Sequence, residues 1–187
     1  MNNPIKNVLF WHGDISEISG WKEMEDVADV WSTGRSPNAS ASCFTSQLYN
    51  GKIFCPSSPL IGLYVYNIVS NTWNIKPIVS EEPLCYTSLL YNYKIYCVPD
   101  NGTAIYVYDI NLDTWSRSAP PPAITYYRTS QLYGGKIYLP EHEGTAMHIY
   151  DTLTDTWSIG ADAPLSMSRL SSQLYNGKIY CPSGEGT

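Results

Sequence analysis

Tyr126, Tyr127 and Arg128 are consecutive in the stretch "PAITYYRTS", and Glu141 and His142 open the stretch "EHEGT". The first group combines two aromatic surfaces with a planar cation, a set suited to a peptide carboxylate or to a sugar. The second could ligate a metal or act as a general base. Neighbours in a strand or loop point in different directions, however, so Glu141, His142 and Glu143 need not converge and read as a solvated loop that can touch a ligand. The other histidines, His12 and His148, have no carboxylate pair beside them, and His148 reads as a packing variant. There is no nucleophile elbow, Gly-rich phosphate loop or Cys/His zinc spacing. The chain is therefore expected to bind rather than catalyse, with no metal and no cofactor.

Composition narrows the ligand. With 17 acidic and 11 basic residues the formal charge is −6, which argues against nucleic acid or an anionic membrane as partner. No apolar run approaches the roughly 18 residues of a membrane span. The opening "MNNPIKNVLFWHGD" has no signal-peptide pattern, so a cytoplasmic location is expected. Aromatic residues make up 13% of the 187 residues and charged ones only 15%, as in a packed, β-rich protein. Five cysteines follow a repeat rather than a disulfide framework and read as buried free thiols.

That repeat positions everything else. "TSQLYNGKIF" at 45–54 returns as "TSLLYNYKIY", "TSQLYGGKIY" and "SSQLYNGKIY" from residues 87, 129 and 171, a constant step of 42. Trp31, Trp73, Trp115 and Trp157 keep the same step, and "LYVYN", "IYVYD" and "MHIYD" lie between. Each unit reads as four short antiparallel strands: "TSQLY", an Asn-Gly turn, "KIFC", "LYVYN" and the strand that starts at Trp. The proline after each second strand should end it. One small sheet cannot bury both faces alone, so four strands per 42 residues predicts stacked β-propeller blades.

The pattern "GKIY…YVYD…DTWS" resembles the kelch repeat, and the chain looks like a kelch-repeat β-propeller of the kelch-like or galactose-oxidase type. The resemblance implies one all-β propeller domain over 1–187, with blades at 45–86, 87–128 and 129–170. A composite blade of 14–44 plus 171–187 would close a four-blade ring by strand exchange, "GWKEME" at 20–25 serving as third strand and "DVWS" as fourth. "NVLFWHGD" at 7–14 itself resembles a second strand, so an incomplete ring that self-associates is the alternative.

In such adaptors Arg and Ser near the start of the first strand touch the ligand, which here implies Arg128, Ser130, Arg169 and Ser172. The serine recurs in every copy, which equally suits close packing. Loops after the second and fourth strands should share one side, the expected binding face. The leading expectation is an interaction module for a protein or peptide segment, through Tyr126, Tyr127, Arg128, Arg169, Glu141 and His142. A carbohydrate-binding propeller is the alternative, and a kelch-like enzyme acting on sugars ranks below both.

Overall fold

A computed structural model describes residues 8–12, 30–34, 42–57, 60–82, 84–100, 103–167 and 171–182, with backbone alone at 8–12, 30–34, 60–61 and 79–82. Every element is a strand: β1 (Val8–His12), β2 (Val30–Gly34), β3 (Gln47–Tyr49), β4 (Lys52–Pro56), β5 (Leu60–Asn67), β6 (Thr72–Glu82), β7 (Cys85–Tyr91), β8 (Lys94–Pro99), β9 (Tyr106–Asp109), β10 (Thr114–Arg117), β11 (Gln131–Tyr133), β12 (Lys136–Pro140), β13 (Met147–Asp151), β14 (Thr156–Ile159), β15 (Gln173–Tyr175) and β16 (Lys178–Tyr180). They form three four-stranded antiparallel sheets, β3–β6, β7–β10 and β11–β14, and two half-sheets, β1–β2 and β15–β16. Among the described residues there is no helix, and none long and apolar enough to cross a membrane.

Local chemistry explains each turn. The first hairpins bend at Asn50-Gly51, Asn92-Tyr93, Gly134-Gly135 and Asn176-Gly177, where all eight residues have positive φ between 46° and 76°. Tyr93 is the costly member, since a side chain in this region loses roughly 1–2 kcal/mol. Its ring meets Tyr49 edge-on at 5.9 Å. The third and fourth strands are joined by a different turn. Asn67, Asp109 and Asp151 accept hydrogen bonds from the backbone two and three residues on. Tyr66, Tyr108 and Tyr150 then donate to Asn71, Asp113 and Asp155, and the repeated Trp lies 5.0–5.3 Å from the same Tyr ring. The repeated "Tyr … Asn/Asp-Thr-Trp" is one turn clamp. As expected, Pro56, Pro99 and Pro140 close their strands.

Burial lies between sheets, because each face needs the next. Phe54, Leu63 and Val65 of the first sheet pack on Cys85, Ile95, Cys97, Tyr106 and Tyr108 of the second. Tyr96, Val98, Ile105 and Val107 on the second sheet's other face meet Tyr127, Ile137, Leu139 and Tyr150. The first strands also touch directly: Thr45 to Ser88 at 2.9 Å, Thr87 to Ser130 at 2.6 Å and Thr129 to Ser172 at 2.6 Å. This hydroxyl ladder is what the recurring "TS" encodes. Ser88, Ser130 and Ser172 are buried in it, as the packing reading of the recurring serine required.

The N-terminal half-sheet corrects one expectation. The strand beside Trp31 is Val8–His12, paired Trp11↔Trp31. That register matches Tyr66↔Trp73, Tyr108↔Trp115 and Tyr150↔Trp157. Hence "VLFWH" takes, by register, the place next to the Trp strand rather than a second-strand one, with Trp11 at the position that Tyr holds elsewhere. Residues 20–25, expected there, lie outside the described residues. So does most of the composite blade 14–44.

Candidate functional site

Three lead-in residues at one repeat position, Phe44, Tyr86 and Arg128, come together across the sheet boundaries. Phe44 and Tyr86 stack with centroids 5.0 Å apart and planes 21° apart, and the Arg128 guanidinium lies over the Tyr86 ring at 4.9 Å. Phe44 is 54% exposed and the Arg128 side chain 39%. A guanidinium laid on an aromatic face has its orientation fixed by the ring, which reduces what a bidentate contact must order.

The floor beside Arg128 is polar and largely buried. Asp100 follows Pro99 at the end of β8, and its N–H donates to the Leu84 carbonyl at 2.6 Å. Its Oδ2 lies 3.8 Å from Arg128 Nη2, while its buried Oδ1 has no hydrogen-bond partner. Burial raises the Asp100 carboxyl above its ordinary range, with the Arg128 and His142 charges pulling the other way. His142 donates its N–H to the Tyr126 carbonyl at 2.8 Å. Its ring is 10% exposed, with Nε2 3.6 Å from a Glu143 carboxylate oxygen and Nδ1 buried without a partner. The loops after the second and fourth strands thus meet on one side, as expected from the unit.

Of the expected ligand residues, Tyr126 is 48% exposed, and its backbone carbonyl holds the His142 N–H two residues before Arg128. Tyr127 is instead 2% exposed, its hydroxyl bonds His148 Nδ1, and its ring is parallel to Trp157 at 6.5 Å. Burial raises its hydroxyl pKa, helped by Glu141, and burial lowers that of His148. The physical reason is a paired exchange: Cys43 with Tyr64 and Cys85 with Tyr106 in two sheets become Tyr127 with His148 in the third, so the large ring changes strand. Glu141 is a loop fastener, accepting from Thr125 Oγ1 at 2.6 Å. Gly144 leaves the room it needs, because a Cβ there would strike the Glu141 carboxylate. Arg169 lies outside the described residues. Asp100, Tyr86 and Phe44 are not among the expected ligand residues, although the 42-residue step aligns 44, 86 and 128.

No family model matches this chain, and no curated protein matches it. Among solved structures, the chain is similar to the crystal structure of the computationally designed Ika4 protein, with a TM-score of 0.59 and 10% sequence identity over 80% of this chain and 90% of that one.

Proposed function

We propose that the chain is a non-catalytic interaction module that takes a protein or peptide segment on the surface formed by Phe44, Tyr86, Arg128, Tyr126 and His142. The observation that carries this reading is the Arg128 guanidinium held on Tyr86 and partly exposed, with apolar rings continuing to Phe44. Such a surface suits a carboxylate with an apolar neighbour, with Arg128 supplying the planar donors and the rings the desolvation. Ring closure belongs to the same reading. In it the two-stranded sheets β1–β2 and β15–β16, separate in the structure, would join as the third-plus-fourth and first-plus-second strands of a fourth blade in a kelch-like ring. Their joining would also cover the cavity of about 350 Å³ lined by Met147, Leu165, Met167, Ile179 and Cys181.

Peptide and glycan arrays probed with the purified chain separate the two ligand classes. Retention of peptides with an acidic side chain or a free C-terminal carboxylate is expected. Arg128→Ala should then weaken binding by about 2 kcal/mol with little change in Tm, and Tyr126→Ala should weaken it less. Retention of neutral glycans alone would replace this reading with the carbohydrate one.

A further inference from the structure

The outer end of the junction between the first and second sheets holds a cavity of about 300 Å³, a volume at the lower end of what small-molecule sites occupy. Phe54, Val65 and Ile110 give it an apolar wall, and Lys52, Lys76 and Asp113 are among its polar lining. The junction between the second and third sheets is the same unit one step of 42 residues later, and it shows why the space is open here. There the chain leaves β10 after Arg117; the Ala119 N–H donates to Asp155 and the Ala119 carbonyl accepts from the Trp157 indole, which ties the exit chain to the outer end of the third sheet. At the first junction Pro77 takes the place of Ala119 and has no N–H to give. The chain instead stays on β5, with Gly62 opposite Pro77, and β6 runs on to Glu82. Asp113, the counterpart of Asp155, takes Lys76 on Oδ2 at 2.6 Å and the Tyr108 hydroxyl on Oδ1.

We propose that this cavity binds a small monocarboxylate with an apolar body, the carboxylate meeting Lys52 and Lys76 and the body lying on Phe54, Val65 and Ile110. The charge of the ligand follows from an exchange across the strands. Lys94 and Lys136 stand opposite Asp109 and Asp151, and Lys136 pairs with Asp151 at 3.3 Å. Lys52 stands opposite Asn67, so its ammonium lacks the acidic neighbour that its counterparts have. Both oxygens of Asp113 are already engaged, and the lining sets two ammonium groups against that one carboxylate in a chain whose formal charge is −6. The apolar body follows from a second exchange: Phe54 and Ile110 stand where the second junction has Tyr96 and Thr152, so the wall has lost two hydroxyls. A polyol would leave that wall facing its hydroxyls, and a neutral apolar molecule would leave Lys52 without a counter-charge. A charge-assisted contact at one end and apolar burial at the other satisfy both parts.

Saturation-transfer NMR on the purified chain tests this with benzoate and with benzamide, its neutral isostere. Benzoate is expected to bind with a Kd on the order of 1 mM and benzamide about tenfold more weakly, the ratio that one charge-assisted hydrogen bond supplies. Lys52 is exposed, so Lys52→Met should keep the fold; it should weaken benzoate about tenfold and leave benzamide where it was. Lys94→Met, the same change one repeat later, should alter neither. Any of three results would overturn the proposal: no transfer to benzoate at about ten times the expected Kd, equal affinity for benzoate and benzamide, or a loss in Lys94→Met as large as that in Lys52→Met. Benzoate binding that is lost in Arg128→Ala and kept in Lys52→Met would overturn it too, by placing the carboxylate on the loop surface. Loss in Lys52→Met, with no peptide retained on the arrays, would uphold this site while the interaction-module reading failed. The comparison of benzoate with benzamide on the unaltered chain decides the matter even where a variant fails to fold.

Discussion

The junction between the first and second sheets and the junction between the second and third share a backbone but differ in how they are finished. Both have the Thr–Ser contact of the first strands, Thr45 with Ser88 and Thr87 with Ser130. At the first junction Gln47 also donates to the Ser88 carbonyl at 2.7 Å; the matching residue at the second is Leu89. At the outer end the first junction has an ion pair, Lys76 to Asp113 at 2.6 Å, and leaves the buried Trp115 indole N–H without an acceptor. The second instead has Trp157 donating to the Ala119 carbonyl at 2.8 Å and the Ala119 N–H donating to Asp155. Its lead-in side carries Tyr127 on His148, with Arg128, Asp100 and His142 nearby. Repetition therefore marks what joins sheets, and variation marks both the candidate surface and the packing that adjusts to it. Tyr127 shows that variation alone does not separate the two.

The largest expected break in the comparison is at the second junction's apolar centre. Leu139 is fully buried where the sister sheet has Cys97, so Leu139→Ala should cost about 2–5 kcal/mol by denaturant unfolding. A loss under about 1 kcal/mol would mean that the two junctions do not share a packed slot.

The hydroxyl ladder should break unequally. Thr87→Val strands the buried Ser130 hydroxyl and should cost about 1–3 kcal/mol, while Thr129→Val should cost less, because Gln131 Nε2 also reaches Ser172 Oγ at 3.1 Å. Equal losses in urea titrations would show that Gln131 gives no relief.

The indoles offer a finer test. Trp157→Phe forfeits a hydrogen bond that Trp115→Phe does not, so the first should be worse by about 1 kcal/mol beyond the shared loss of ring area. Matching changes in Tm would remove that distinction between the junctions.

The smallest effect is a slope in pH. Burial lowers the His148 pKa, so the folded chain resists a proton that the unfolded chain accepts. The associated stability is complete above the unfolded value of about 6.5 and is lost as pH falls through the lowered folded value. His148→Gln, which can still bond Tyr127, should flatten the stability profile in that window. An unchanged profile would assign the slope to other groups. The acidic limb near the ordinary carboxylate range should persist, since Lys76 and Tyr108 lower the Asp113 pKa.

The step of 42 residues by itself determined the sheets. Strand length, the positive-φ turns at Asn50-Gly51 and its copies, and the Tyr–Asp–Trp clamp are all local, and local chemistry is written in adjacent residues. The repeated serine was also legible as packing, because a residue needed by every unit must recur. Tertiary structure decided three other matters. Tyr127 went inward because His148, 21 residues away, vacated the space that a Tyr occupies in the sister sheets. Arg128 acquired its platform from Tyr86 of the preceding unit, and its carboxylate neighbour from Asp100 at the end of a second strand. Val8–His12 became a third strand through its pairing register with Val30–Gly34, although its apolar run suits a second strand equally well. In each case the outcome depends on which residues from distant parts of the chain share one space, and a periodic sequence fixes the slots without fixing which side chain fills the gap between them.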